Sequence, residues 1–326
     1  MKIAINGFGR IGRMTLRALQ HQPGVEVVAV NDLTDTNTLA HLLKYDTAHG
    51  RFPGEVSTND ADTLVVNGRS ITMFQEKDPA NLPWASMQID AVIESTGRFT
   101  DKSAAFAHIN AGAKKVLITA PATGGIKTIV HGVNNELIGD DQIYSTASCT
   151  TGSIAPILYI LDKEYGVESG FMVTVHAFTA DQNLQDAPHR DLRRARAAAY
   201  SIIPTTTGAA KAIGNVLPNL LGKMDGYSYR VPVIDGSIVD LSINLQKEAT
   251  VAEINAALKH YAETSLKGIL EYTEEQFVSS DILGNTHSSI VDGRMTKAIG
   301  KLVKVVTWYD NEVGISNRIA ELISLI

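Results

Sequence analysis

The chain has 326 residues, a net charge of −6, 44% hydrophobic and 20% charged residues, and one cysteine. That length accommodates two domains; the acidic balance argues against nucleic acid as the main partner, which needs a basic surface, and no apolar run approaches the ~20 residues that cross a bilayer. A lone cysteine excludes an internal disulfide framework and fits a reducing compartment, so a cytoplasmic protein is expected.

From the N-terminus, the apolar run of residues 1–7 is too short for a signal peptide and reads as a strand through Ile3, Ala4 and Ile5. Gly7-Phe8-Gly9-Arg10-Ile11-Gly12 follows at once, and then Met14, Leu16, Ala18 and Leu19 on a helix to about Gln20. A G-x-G-x-x-G pattern between strand and helix is a dinucleotide fingerprint. Gly7 permits the tight turn, Gly9 the approach of a pyrophosphate, and Gly12 close helix–strand packing. The helix N-terminus offers unpaired N–H groups and a positive dipole end to the phosphates. A second strand over 25–30 ends at Asn31-Asp32, with Asp32 20 residues after Gly12. A carboxylate there accepts from the adenosine ribose hydroxyls and repels a 2′-phosphate, which favours NAD over NADP.

Strands over 91–93 and 115–118, with a helix over 102–111 between them, continue a β-α-β rhythm. That rhythm implies a parallel sheet with helices on its faces. Ligands bind at the carboxyl ends of such strands. Asp32, Ser95, Thr96, Gly97 and Thr119 all fall there.

Beyond Cys149 the pattern changes. Strands are expected over 171–177, 237–245 and 301–309, the second with Val239, Leu241, Ile243 and Leu245 alternating with polar residues. Thr250 and Glu253 form a capping box ahead of an apolar helix face of Val251, Ile254, Leu258 and Tyr261. Residues 311–326 read as a turn and a helix. The fold class is therefore α/β: a Rossmann-type parallel-sheet domain over 1–148, to which a C-terminal helix over 312–326 returns, and an α+β catalytic domain over 149–311 with a mostly antiparallel sheet.

Cys149 lies in Ser148-Cys149-Thr150-Thr151, and read alone it is either a small buried residue or a nucleophile. His176, on a strand, is by itself an ordinary core or rim histidine. Together with a nicotinamide cofactor, the thiol and the base suggest oxidation of an aldehyde through a covalent thioester. An imidazolium beside the thiol would favour the thiolate, and the imidazole could then take a proton from the substrate oxygen. Arg190, Arg193, Arg194 and Arg196 read as a solvated helix face and an intersubunit salt-bridge patch. Arg230 is isolated and placed after a strand. With Thr179, Asp181, Thr207 and Gly208 it supplies phosphate-compatible groups. No metal is expected.

These residues resemble a known family. Ile5–Arg13, Glu94-Ser95-Thr96-Gly97, Ala147–Thr151, Leu192–Arg196, Thr206–Ala212 and Trp308–Glu312 are similar, in order and spacing, to motifs of the phosphorylating glyceraldehyde-3-phosphate dehydrogenases. The resemblance spans essentially the whole chain. It implies Cys149 as nucleophile and His176 as its activator. Substrate or phosphate contacts are implied at Ser148, Thr150, Thr179, Asp181, Arg194, Thr207, Gly208 and Arg230. NAD contacts are implied at Arg10, Ile11, Asp32, Lys77, Thr119 and Asn311, the last orienting the nicotinamide carboxamide. It implies glyceraldehyde 3-phosphate and inorganic phosphate as substrates and a homotetramer, with residues 181–199 an extended loop reaching a neighbouring subunit's cofactor site.

The chain departs from the family's usual residues at four positions: Gly152 for Asn, Ser153 for Cys, Thr146 for Asn and Ile315 for Tyr. None removes the nucleophile or the base. An erythrose-4-phosphate dehydrogenase is the nearest alternative, and Thr179 and Asp181 fit the triose enzyme better. A non-catalytic binding role, from a different class, finds no support in the charge.

Overall fold

The computed structural model describes residues 1–326. It divides into a first unit of Met1–His131, Asn135–Ala147 and Ser316–Ile326, and a second of Gly132–Asn134 and Ser148–Ile315.

The first unit holds strands β1 (Lys2–Asn6), β2 (Glu26–Asn31), β3 (Val56–Asp60), β4 (Thr63–Val66), β5 (Arg69–Phe74), β6 (Ala91–Glu94), β7 (Lys115–Ile118), β8 (Lys127–Thr128) and β9 (Ile143–Ser145). Its helices are α1 (Arg10–Leu19), α2 (Thr36–Lys44), α3 (Trp84–Met87) and α4 (Lys102–Asn110). The sheet order is β3-β4-β5-β2-β1-β6-β7-β9-β8. All neighbours are parallel except the β3–β4 and β4–β5 pairs. Central strands of a parallel sheet are covered on both faces, and β6 is accordingly buried along its whole length. Asp35 and Asp101 cap α2 and α4 by accepting from Thr38 N–H and Ser103 N–H, both at 2.9 Å.

The second unit holds helices α5 (Cys149–Tyr165), α6 (Ala209–Val216) and α7 (Val251–Glu263), and α8 (Val313–Leu322) begins in it. Its strands are β10 (Val167–Ala177), β11 (Ile203–Thr206), β12 (Met224–Val231), β13 (Ser237–Leu245), β14 (Leu270–Thr273), β15 (Ser289–Asp292), β16 (Lys297–Ile299) and β17 (Leu302–Tyr309). They order as β11-β12-β10-β13-β17-β15-β14, with β16 on β17. Only β10–β12 and β14–β15 pair in parallel, so this sheet is mixed and mostly antiparallel. In β13 Val239, Leu241, Ile243 and Leu245 are buried, as the alternation predicts. The Thr250–Glu253 capping box forms. No helix is long and apolar enough to cross a membrane.

Several expectations are corrected. Val251 is 37% exposed, so the core face of α7 begins at Ile254. Residues 190–196 form no helix: Asp191 keys turns there by accepting from Arg193 N–H and, through its backbone carbonyl, from Ala195 N–H. Asp is a turn former of this kind. Arg230 lies inside β12 rather than after a strand. β10 starts four residues before Phe171, because pairing with β13 and β12 overrides the weak strand propensity of Glu168-Ser169-Gly170.

Candidate active site

In the second unit, Ser148 is the N-cap of α5 and its Oγ accepts from Thr151 N–H at 3.1 Å. Cys149 is therefore the first residue of a 17-residue helix, with its half-buried thiol at the positive end of the dipole. His176 lies on β10, and the parallel register opposite β12 sets it directly beside Arg230. The Sγ-to-Nε2 distance is 3.5 Å. His176 Nδ1 stands 2.7 Å from the Ala177 carbonyl oxygen, which also accepts from Arg230 Nη1 at 3.1 Å. A proton on Nδ1 donated to that oxygen leaves Nε2 as an acceptor facing the thiol.

Burial pushes the Cys149 thiol up, while Arg230 pulls the other way. Burial, and then Arg230, push His176 down to about 3. Each group alone is thus held neutral, and the expected resting imidazolium is replaced by a neutral imidazole that can receive the thiol proton. Moving that proton from Sγ to Nε2 creates both charges together, with Arg230 and the helix end beside the thiolate.

Tyr309 on β17 braces this pair. Its hydroxyl lies 2.9 Å from Thr150 Oγ1 and 3.0 Å from Thr174 Oγ1, and its ring meets the His176 ring edge-on at 5.9 Å. Sequence reasoning left Tyr309 without a role. Its presence in the Trp308–Glu312 motif was the available signal.

A chain of polar contacts leads away from His176. Arg230 Nη1 donates to Thr179 Oγ1 at 3.1 Å. Thr179 Oγ1 donates to Asp181, which is ion-paired with Arg194. Arg194 Nε donates to Thr205 Oγ1 at 2.9 Å. Thr179, Asp181, Arg194 and Arg230 are thus brought together. Thr207 and Gly208 stand outside this network: the Thr207 hydroxyl accepts from Ala209 N–H, and Gly208 precedes α6. Thr150 is buried with its hydroxyl bonded to Tyr309. Asn311 is buried, and its Oδ1 accepts from Ser237 Oγ at 2.8 Å, which fixes the amide nitrogen as the donor end. A Cβ at Gly152 would meet nothing within 4 Å, whereas the Ser153 hydroxyl is buried without a partner.

The first unit carries the glycine turn. Gly7 has φ +90°, and a Cβ there would lie 2.7 Å from Thr96 N. A Cβ at Gly12 would lie 2.2 Å from the Gly7 carbonyl oxygen. Above Gly9 the space is open, as an approaching pyrophosphate requires. The half-buried Asp32 accepts from Phe8 N–H at 2.7 Å and Thr34 N–H at 2.9 Å, so the carboxylate is keyed to the turn. Arg10 is ion-paired with Asp46, a partner that sequence reasoning missed. Ile11 is half-buried on α1, Thr119 follows β7 with its N–H on the Glu94 carbonyl, and Lys77 is exposed beyond β5. Tight glycines under open space, with a carboxylate at the end of the second strand, fit a dinucleotide.

Two family models match the chain: glyceraldehyde 3-phosphate dehydrogenase, NAD binding domain, over residues 1–102, and the C-terminal domain of the same enzyme over 148–311. The chain is 55% identical over 329 residues to glyceraldehyde-3-phosphate dehydrogenase of Geobacillus stearothermophilus. It is 54% identical over 333 residues to the enzyme of the same name from Mycobacterium avium. Each alignment covers 100% of this chain and 98% of the relative.

Proposed function

The chain belongs to the glyceraldehyde-3-phosphate dehydrogenase family, and from that premise we propose how its residues carry out the NAD-dependent oxidative phosphorylation of glyceraldehyde 3-phosphate to 1,3-bisphosphoglycerate. The observation that supports the assignment of roles is the Cys149–His176 pair at 3.5 Å, at the N-terminus of α5.

Cys149 gives its proton to His176 Nε2 as the sulfur attacks the aldehyde carbon. The new S–C bond converts the carbonyl oxygen to the hydroxyl of a thiohemiacetal. His176, returned to its neutral form, takes that hydroxyl proton as the C–H bond breaks, leaving a thioester on Cys149. NAD supplies the hydride acceptor when bound. Gly7, Gly9, Arg10, Ile11, Gly12, Asp32, Lys77 and Thr119 would hold it on the first unit, and the Asn311 amide would orient its carboxamide. Arg194, Arg230 and Thr179 hold phosphate oxygens, with Asp181 giving up Arg194 to the incoming anion. Ser148, Thr150, Thr207 and Gly208 serve the attacking inorganic phosphate. That phosphate forms an O–C bond to the acyl carbon and expels the Cys149 thiolate, which restores the enzyme.

Initial rates with glyceraldehyde 3-phosphate and erythrose 4-phosphate, each with and without phosphate, test this. Faster, phosphate-dependent NADH formation with the triose is expected, with activity lost by orders of magnitude in Cys149→Ser because a hydroxyl is a far poorer nucleophile. Equal turnover by Cys149→Ser sinks the thioester route. The homotetramer is supported by apolar side chains in one loop, Leu184, Leu192, Tyr200 and Ile202, each more than two-thirds exposed in the single chain (69–90%). Sedimentation velocity should give four chains, and a stable monomer overturns this. The single thiol supports the cytoplasm as its compartment.

A further inference from the structure

A polar network in the first unit is closed off from solvent and takes no part in the chemistry above. Glu94, at the end of β6, is 1% exposed, and His108, on α4, is fully buried. Burying a carboxylate is costly unless every lone pair is used. Here they are: Oε1 accepts from the N–H and the hydroxyl of Thr96, and Oε2 accepts from Asn6 Nδ2 and from His108 Nε2 at 3.0 Å. The polarity of His108 is set from behind, because Trp84 Nε1 donates to its Nδ1 at 3.1 Å. That leaves the proton on Nε2, pointed at Glu94. Asn6 Oδ1 accepts from Asn31 Nδ2 at 2.7 Å. Asn31 in turn bonds the backbone of Glu76 in both directions, at 2.8 and 2.9 Å.

The positions in the chain give the network its meaning. Asn6 immediately precedes Gly7, Asn31 precedes Asp32, Glu76 precedes Lys77, and Thr96 lies in the turn against which Gly7 packs. Four segments that reach the cofactor edge of the sheet are thus locked in register by one chain of hydrogen bonds. Its far end is Trp84 and His108, neither of which is among the cofactor contacts proposed above.

We propose that the Trp84–His108–Glu94 relay is the positioning device of the dinucleotide site: through Asn6, Asn31 and Thr96 it fixes where Gly7, Asp32 and Lys77 stand. This rests on the cofactor contacts proposed above. The acceptor at Glu94 Oε2 is essential to it. In Glu94→Gln one end of the carboxamide becomes a donor. Turned towards Asn6 and His108, the NH2 faces two donors, Asn6 Nδ2 and the Nε2–H of His108, which the Trp84 N–H prevents from changing tautomer; turned the other way, it faces the Thr96 N–H.

The test is NAD affinity of the full chain by calorimetry, with thermal unfolding and the rate of Cys149 alkylation measured in parallel. Glu94→Gln should weaken NAD by about tenfold or more, the scale of effect that small misplacement of binding groups produces. Alkylation of Cys149, in the other unit, should not change. Asn6→Asp combined with Glu94→Gln should recover most of the affinity. The carboxylate introduced on β1 would accept from the amide introduced on β6, and also from His108 Nε2, which stands 3.4 Å from Asn6 Nδ2. Trp84→Phe, which frees the His108 tautomer, should weaken NAD by a smaller factor, and it decides the matter alone if Glu94→Gln does not fold. A purely structural role would lower the unfolding temperature with NAD affinity within twofold of the parent and no rescue, and that result overturns the proposal. A parent chain that fails to bind NAD would instead overturn the cofactor reading beneath it.

Discussion

His176 is 4% exposed with Arg230 Nη1 3.1 Å from its Nδ1, and burial first, then this cation, disfavour the imidazolium. A neutral base pointed at a half-buried thiol has a kinetic consequence. Alkylation of Cys149 should persist below pH 7, because Nε2 takes the proton as sulfur attacks. In His176→Asn that acceptor is gone, and the profile should climb only with thiol ionisation, which burial pushes above the ordinary thiol range. The NADH burst in stopped flow should slow by roughly 10²- to 10⁴-fold, the usual worth of a placed base. The phosphate dependence should survive, since phosphate acts on the thioester. An unchanged alkylation profile would show that another group activates Cys149. Asp32 argues the same way at the cofactor edge. Its carboxylate anchors Phe8 N–H, so Asp32→Ala loosens the glycine turn as well as removing ribose acceptors. NAD should bind about ten- to a hundredfold more weakly, the range for losing charged hydrogen bonds, with discrimination against NADP relaxed. Titration with both cofactors checks it, and a parent chain that prefers NADP contradicts the assignment.

Helix α5 shows what an element can do around a fixed nucleophile. Gly152 sits in its first turns, where glycine costs up to about 1 kcal/mol relative to Ala. Four residues on, Pro156 withholds the N–H that the Gly152 carbonyl would accept. A Cβ at Gly152 meets nothing within 4 Å. Gly152→Ala should therefore stabilise the chain by about 0.5–1 kcal/mol with kcat within twofold, read by denaturant unfolding and initial rates. A loss of stability would mean that the helix needs glycine's freedom there. Elements of this kind were legible in the sequence because their signals are local: the strand, glycine turn and helix of residues 2–19, the alternation in β13, the capping box of α7. The hairpin strands β3–β5 were not read, although Asn67-Gly68 between β4 and β5 is a local turn signal. The strand before Arg230 was expected without its true end, which pairing with β10 carries to Val231. Arg230 was accordingly misplaced, and its neighbour His176 is fixed by a parallel register between β10 and β12 that no spacing encodes. The arginines of 190–196 carried a helical composition, but the turns keyed by Asp191 prevailed. Residue types alone could suggest that Cys149 needs a base, whereas the 3.5 Å separation and the neutral state of the imidazole come from packing.

At the scale of the whole molecule, the same imidazole links folding to pH. Unfolded, His176 titrates near ~6.5, and folded it is pushed down to about 3. The folded pKa is the lower one, so between these values the unfolded chain binds more protons than the native one. Stability therefore rises with pH across that window, is complete above ~6.5, and falls as pH drops towards 3. The slope of this single group approaches about 1.4 kcal/mol per pH unit, or roughly 2–3 kcal/mol between pH 6.5 and 4.5. Because the chain has two units, unfolding need not be a single transition. The loss should appear in the transition of the second unit, where His176 resides. Calorimetric scans from pH 7 to 4.5 should show that transition falling more steeply in the parent chain than in His176→Asn, whose amide does not titrate, while the transition of the first unit moves equally in both. Parallel acid profiles for the second unit would mean that His176 already carries its proton in the native state, and the neutral-base account of Cys149 activation would fall with it.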